Sequence, residues 1–303
     1  MKRKVFCISG GGASAGAYLA WFKYLPGNLM LELLEIPGRG LRKGEPHVSS
    51  FESLIDDFCA TITEKTADSP EPYYLFGYCF GGTIAYELCL RMAERNARPP
   101  RRIFLAAAIP TDCPHEMVFA NPANEEKVAG IAEQYFPASV FPNRREARQL
   151  SKRFVHLLFK RYGQYKTMVP ITFEELFPNV DESDPAFIEK EKALDFANDT
   201  QYLLNLDLTM DQQIRAAQRT FEHLAVDITA LAGRTDPLSP VEEVGRWEQY
   251  ADAAFDLQII DGGHGFAFEE PGSKQCVDAV AEADRCYKAQ QGPHQSSDEV
   301  KES

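Results

Sequence analysis

"YYLFGYCFGGTIAYELCLRM", residues 73–92, joins an apolar, aromatic-rich run to a helix-forming one across a Gly-x-Cys-x-Gly corner centred on Cys79. The first part reads as a buried strand and the part after Cys79 as a helix, so the corner is a strand-turn-helix of the kind that presents a nucleophile. Gly77 and Gly81 are needed there because side chains at those positions would collide across so sharp a turn. Many hydrolases place serine at the centre. Here the residue is Cys79, and the positive end of the following helix favours its thiolate. The bland alternative is an inert buried thiol, since cysteine is among the most buried residue types. That alternative fits Cys89, further along the same helix, while the context of the turn makes Cys79 a candidate nucleophile.

Around this corner, short apolar runs alternate with helix-period segments, the pattern of a parallel sheet covered on both faces. Strands are predicted over residues 4–9, 30–36, 73–78 and 102–108, with helices over 15–25, 51–65 and 81–95. The alternation then stops. Charged, helix-forming stretches punctuated by "FPNR", "MVPITF" and "NVDESDP" follow without a convincing buried strand, which predicts a helical lid inserted into the core. Strands resume at 225–232 and 255–260, with a helix over 241–250 between them and another over 274–288. The expected organisation is a core over 1–112, a lid over 113–222, the core resumed over 223–289, and a polar, disordered tail over 290–303.

Composition narrows the function classes. The chain has 303 residues, 44% of them hydrophobic and 25% charged, which is ordinary for a soluble globular protein with a substantial core. It has no long apolar run, so no membrane span and a cytoplasmic location are expected. A net charge of −13 repels a phosphate backbone and argues against nucleic acid as a partner. The basic "RPPRR", residues 98–102, reads as a solvated loop. Seven cysteines, Cys7, Cys59, Cys79, Cys89, Cys113, Cys276 and Cys286, lack C-x-x-C spacing, which argues against a zinc site or a disulfide framework and for reduced thiols. No metal or cofactor is expected.

A nucleophile on such a turn needs a base and an orienting acid, which in this architecture follow in the order Asp, His at the ends of later strands. "ITALAGRTDPLSP" places Asp236 in a loop after one apolar strand, and "LQIIDGGHGFAFEE" places His264 after the next. In isolation each has a plainer reading, Asp236 as a turn residue before Pro237 and His264 as a loop histidine between glycines. Together with Cys79 they make a Cys-His-Asp triad in the required order. An oxyanion hole uses the backbone N–H after the nucleophile, here that of Phe80, and one from the loop after an early strand, for which "SGGGASAGAY" is well placed. That loop lacks the lysine and spacing of a phosphate-binding Walker motif, and its plainer reading is a flexible turn.

With these residues assembled, the chain resembles the type II thioesterases of nonribosomal peptide and polyketide synthesis, members of the α/β-hydrolase superfamily. The resemblance rests on "VFCISGGGASAGAYLAWFKYLP", "LEIPGRGLRKGEP", "YYLFGYCFGGTIAYELC", "LAGRTDPLSPVEEVGRWEQY" and "DGGHGFAF". It implies an α/β-hydrolase fold, a mostly parallel sheet flanked by helices, with Cys79 as nucleophile, His264 as base and Asp236 as orienting acid. Gly11 and Phe80 take the oxyanion-hole positions. The chain departs from the family's pattern in carrying cysteine where serine is usual, in reading "SGGGA" over residues 9–13 where Pro-His-Ala-Gly-Gly is usual, and in a longer interval between nucleophile and acid, so the lid is expected to be enlarged.

The function implied is hydrolysis of acyl or aminoacyl thioesters carried on the phosphopantetheine arm of an acyl or peptidyl carrier protein. Two alternatives stay open: transfer of the acyl group from Cys79 to an amine or another nucleophile, including cyclisation, and a non-catalytic carrier-protein binder. A monomer is expected. Because carrier proteins are commonly acidic, a basic docking patch is sought in "RRIFL" or in "NRREARQLSKRF", with Arg144, Arg145, Arg148, Lys152 and Arg153; a solvated helix face is the plainer reading. Phe136, Phe141, Phe159 and Phe173 are candidates to line an acyl channel, although aromatics at helical spacing more often belong to a core.

Overall fold

The apolar runs become the strands of one sheet in the computed structural model, which describes residues 2–112, 121–135, 144–162, 169–216 and 222–291. In chain order they are β1 (Arg3–Ile8), β2 (Leu29–Leu34), β3 (Tyr74–Tyr78), β4 (Arg102–Ala106), β5 (Asp227–Gly233) and β6 (Phe255–Ile260). Their order across the sheet is β2-β1-β3-β4-β5-β6, and every pairing is parallel. Parallel neighbours need crossovers that cover the faces, so interior strands are buried on both sides. β3 is buried along its whole length, whereas β6, at the sheet edge, leaves Leu257 and Ile259 exposed. This is the α/β-hydrolase fold expected from the sequence.

The helices in chain order are α1 (Phe51–Thr66), α2 (Phe80–Glu94), α3 (Glu125–Tyr135), α4 (Arg144–Tyr162), α5 (Phe173–Leu176), α6 (Phe187–Ala216), α7 (Val241–Gly245) and α8 (Gly272–Gln291). Alternation along β1 divides the core between the two faces. Phe6 and Ile8 pack with Phe58 of α1 and Leu88 of α2, while Val5 and Cys7 pack with Trp21 and with Val277 and Val280 of α8. Each fully buried aliphatic or phenyl side chain contributes about 1.5–3 kcal/mol.

The helix predicted over residues 15–25 is instead a 3-10 helix, Ala15–Lys23. Its buried residues are Ala15, Tyr18 and Trp21, every third position, which is the spacing that three residues per turn bring into line. Tyr18 and Trp21 meet edge to face with centroids 5.0 Å apart. Packing on the sheet selects the tighter winding. At the other end, α8 continues to Gln291, past the expected start of the tail at residue 290, because Ala289, Gln290 and Gln291 are good helix formers. Residues 292–303 lie outside the described residues.

Between β4 and β5 the chain forms α3 to α6, which carry a cluster of their own. Leu150, Phe154, Val155 and Leu158 of α4 pack with Ala193 and Ala197 of α6. α5 opens on a capping box, in which Thr172 Oγ1 accepts from the Glu175 N–H at 3.3 Å and the Glu175 carboxylate accepts from the Thr172 N–H at 2.9 Å.

Candidate active site

The carboxyl ends of β1, β3, β5 and β6 share one edge of the sheet, and the loops leaving them meet there. Cys79 follows β3 and caps α2 with φ 53° and ψ −118°, a backbone state that costs a non-glycine residue about 1–3 kcal/mol. Hydrogen bonds from outside hold it: the Cys79 N–H donates to the Ala106 carbonyl at 2.8 Å, and the Gly82 N–H donates to the Cys79 carbonyl at 2.9 Å. A Cβ on Gly77 would lie 2.1 Å from the Gly81 carbonyl oxygen, and one on Gly81 would lie 2.4 Å from that of Ile8. The glycines are required because α2 starts against the backbone of β3 and β1.

Asp236 stands in the loop after β5 and His264 in the loop after β6, with His264 Nδ1 2.9 Å from Asp236 Oδ2. The other carboxylate oxygen accepts from the N–H groups of Leu238 and Ser239 at 2.8 and 3.0 Å, an Asx turn that aims the side chain. An ionised carboxylate only accepts, so Nδ1 carries the hydrogen and Nε2 is left for Cys79. Tyr78, next to Cys79, donates its hydroxyl to the His264 carbonyl at 2.5 Å, which ties the histidine loop to the end of β3.

His264 and Asp236 are 7% and 6% exposed. Burial by itself would discharge the imidazole. Hydrogen bonds to Asp236 and to the Cys79 sulfur, together with the charges of both, outweigh burial and push the His264 pKa up to about 10. The three predicted triad residues are therefore brought together, with the ring shared between carboxylate and sulfur. Cys79 is half-buried and lines a cavity. Burial instead drives the Cys7, Cys89 and Cys276 thiols well above the usual range and pushes Cys59 up to about 11.

Phe80 begins α2 and Gly11 lies in the loop after β1; both line the same cavity as Cys79 and His264. The loop is tightly held. The Ala13 N–H donates to the Gly10 carbonyl at 3.2 Å, and the Gly12 N–H donates to Asp207 Oδ2 of α6 at 2.6 Å. Asp207 also accepts from Arg39 Nη1 and Nη2 at 2.8 and 2.5 Å, and the pair is buried, 3% exposed at Arg39 and 2% at Asp207. Sequence reasoning gave neither residue a role. Arg39 was visible within "PGRG", but nothing local marks Asp207 among the acidic residues of a charged helix.

The cavity measures about 800 Å³ and lies between the sheet edge and the helical segment, which contributes Phe154, Leu158, Phe196 and Leu204. Phe159 and Phe173 pack against that segment's own cluster instead; Phe136 and Phe141 lie outside the described residues. The basic stretches are largely engaged elsewhere. Arg101 and Arg102 pair with Asp227 at the start of β5, at the end of the sheet opposite Cys79. Lys152 pairs with Glu126, and Arg153 Nε donates to the Glu175 carbonyl at 2.6 Å. Among the described residues no group of three or more His, Cys, Asp or Glu is placed to hold a metal ion, and no helix is long and apolar enough to cross a membrane.

Comparison with known proteins places the chain in a family. The AMB antimetabolite synthetase AmbE of Pseudomonas aeruginosa is 23% identical over 265 residues, covering 86% of this chain and 10% of that synthetase, so the chain spans about a tenth of its length. Linear gramicidin dehydrogenase LgrE of Brevibacillus parabrevis is 23% identical over 266 residues, covering 88% of this chain and 82% of LgrE. Thioesterase PikA5 of Streptomyces venezuelae is 21% identical over 272 residues, covering 86% of this chain and 74% of PikA5. Among solved structures, the RedJ thioesterase of the prodiginine biosynthetic pathway in Streptomyces coelicolor superposes with a TM-score of 0.64 at 17% identity, covering 93% of this chain and 90% of RedJ. ClbQ of the colibactin pathway superposes with a TM-score of 0.63 at 17% identity, covering 96% of this chain and all of ClbQ. Likeness at that identity establishes the fold. The family described as the thioesterase domain matches residues 3–283, a span that contains the elbow, the acid loop and the histidine loop, and the chain belongs to that family.

Proposed function

We propose that the chain is a type II thioesterase that releases acyl or aminoacyl groups from the phosphopantetheine arm of an acyl or peptidyl carrier protein, through an acyl intermediate on Cys79. The observation that carries this reading is His264, shared between the Asp236 carboxylate and the Cys79 sulfur beside a cavity of about 800 Å³. The relatives point to the setting: PikA5 is a thioesterase, and RedJ and ClbQ belong to the prodiginine and colibactin pathways. The insertion over residues 113–222, through its helices α3 to α6, acts as a lid over that cavity, and the carrier protein presents its arm at the cavity mouth. Free thiols at the described cysteines suit a reducing cytoplasm.

In the first half-reaction Cys79 Sγ bonds to the thioester carbonyl carbon, and the electron pair of the carbonyl moves to oxygen. The N–H groups of Gly11 and Phe80 receive that oxyanion. Collapse expels the pantetheine sulfur, which takes the proton held on His264 Nε2. In the second half-reaction His264 accepts a proton from water as the water oxygen attacks the acyl-cysteine, then returns it to the departing Cys79 sulfur. Asp236 holds the ring in place and offsets its charge throughout. Substrate and acyl-enzyme are both thioesters, so the first half-reaction is readily reversible and hydrolysis supplies its direction. Side chains and water suffice for this chemistry without a cofactor.

Rapid acid quench and intact-protein mass spectrometry after mixing with an acylated carrier protein test the proposal. The expected result is an acyl adduct on Cys79 that decays to free acid at the turnover rate and is absent in a folded C79A variant. Full activity in C79A, or neither adduct nor turnover in the unmodified protein, would overturn it in favour of a structural thiol or a binding protein.

A further inference from the structure

Asp207 is a carboxylate in the wall of the reaction cavity that the mechanism above does not use. Its oxygens fasten the glycine loop from the side of α6: the Gly12 N–H donates at 2.6 Å, while the Arg39 guanidinium binds both oxygens. Arg39 Nη1 also reaches the Ala13 carbonyl at 3.4 Å, and Ser9 Oγ donates to the same oxygen at 3.3 Å. Beyond the loop, Glu35 accepts from Ser14 Oγ at 2.5 Å and from the Ala15 N–H at 3.1 Å. Gly10, Gly11 and Gly12 have no side chains with which to hold themselves, and Gly12 sits at φ 72°. The direction of the Gly11 N–H therefore depends on what grips its neighbour. α6 lies directly over the loop, since a Cβ on Gly12 would touch Leu204 Cβ at 3.5 Å.

We propose that Asp207 is a positioning residue for oxyanion stabilisation: by gripping the Gly12 N–H it aims the adjacent Gly11 N–H, and because it rides on α6, the oxyanion hole is complete only when the lid helix is seated on Arg39. A buried ion pair is an expensive tether, and a simple apolar contact would hold the lid as well. What the apolar contact would lack is an acceptor for Gly12. The proposal rests on the reading of Cys79 and Gly11 given above.

Two reactions of Cys79 separate this role from general support. Acylation by a thioester develops an oxyanion, whereas alkylation by iodoacetamide displaces iodide and develops none. R39M/D207A removes the acceptor without stranding a buried charge, R39M/D207N restores a neutral acceptor, and D207E keeps the charge but displaces it by one methylene. Acylation in R39M/D207A should slow at least about tenfold at an unchanged KM for the acylated carrier protein, with alkylation within about twofold of the unmodified protein. R39M/D207N should recover most of the loss, and D207E should show the same split between the two reactions. Equal slowing of acylation and alkylation, or equal acylation rates in the two double variants, overturns the proposal; if R39M/D207A does not fold, D207E with both reactions unimpaired overturns it as well. An adduct that does not map to Cys79 in the unmodified protein overturns the reading beneath it, and is measured first.

Discussion

The turn that carries Cys79 and the helical segment between β4 and β5 form facing walls of one cavity, and they are built under opposite kinds of constraint. At the turn there is no spare volume: a Cβ on Gly77 would lie 2.1 Å from the backbone of Gly81, and one on Gly82 would lie 2.4 Å from Ala108 Cβ. In α3 a Cβ on Gly130 would meet nothing within 4 Å. The turn is held by a backbone hydrogen bond to Ala106 of β4 and another within the turn, whereas the helical segment is joined by side-chain pairs such as Lys190 with Asp184 and Arg161 with Glu175, both at 2.6 Å. At the end of β3 that carries Cys79, the glycines of the turn leave no room for a side chain. In the facing segment the room for a side chain at Gly130 lies away from the cavity wall, where Phe154 and Val155 of α4 are buried.

The comparison breaks or holds first on two aspartates. D236N removes the acceptor that fixes the His264 tautomer and should lower kcat by about 10⁴-fold. D184N removes one half of a partly exposed pair with Lys190 in the helical segment, where solvent screens the interaction, and should leave kcat unchanged. Steady-state turnover of an acylated carrier protein reads both, and a similar loss in the two would erase the distinction.

Next come the glycines. G77A drives a methyl group into backbone and should cost at least about 4 kcal/mol or prevent folding, as read by urea denaturation. A G77A protein with native stability would mean that the turn is not sterically locked.

A smaller effect concerns the proton on His264. Its folded-state pKa of about 10 lies above the ordinary value of 6.5, so the stabilisation that the proton provides is fully present below pH 6.5 and is lost as pH rises toward 10. Replacing Cys79 with alanine deletes two of the influences that raise the value, the hydrogen bond and the charge at sulfur. The imidazole pKa, followed by nitrogen-15 NMR, should therefore fall by about one unit or more in C79A. An unchanged titration would mean that sulfur and ring do not interact.

The smallest effect is a gain. G130A in α3 replaces a helical glycine where space is open and should stabilise by up to about 1 kcal/mol, sharpening the contrast with G77A by its opposite sign. A destabilised G130A would show that the helical segment is packed as tightly as the core.

Much of this molecule is legible in short windows. β1, β3, β4 and β5 announce themselves because an interior parallel strand must be apolar on both faces, and Cys79, Asp236 and His264 because each sits at a strand end marked by Gly or Pro. Fine geometry was less legible. The 3-10 winding of Ala15–Lys23 shows only in which residues the sheet buries, and Phe159 and Phe173 turn to a local core because α4 and α5 have neighbours that a one-dimensional pattern does not contain.

Sequence pattern was enough to mark the class of fold, the strand-end loops that carry Cys79, Asp236 and His264, and the glycines that the turn requires, since each of these is read from residues within a few positions of one another. Tertiary structure decided which carboxylate meets the glycine loop. Asp207 and Arg39 are 168 positions apart, and either alone reads as an ordinary surface charge. Only when α6 folds over the end of β1 do they become a buried pair, because the free energy of such a pair is set by a desolvation cost against a gain on contact, neither of which any stretch of sequence contains.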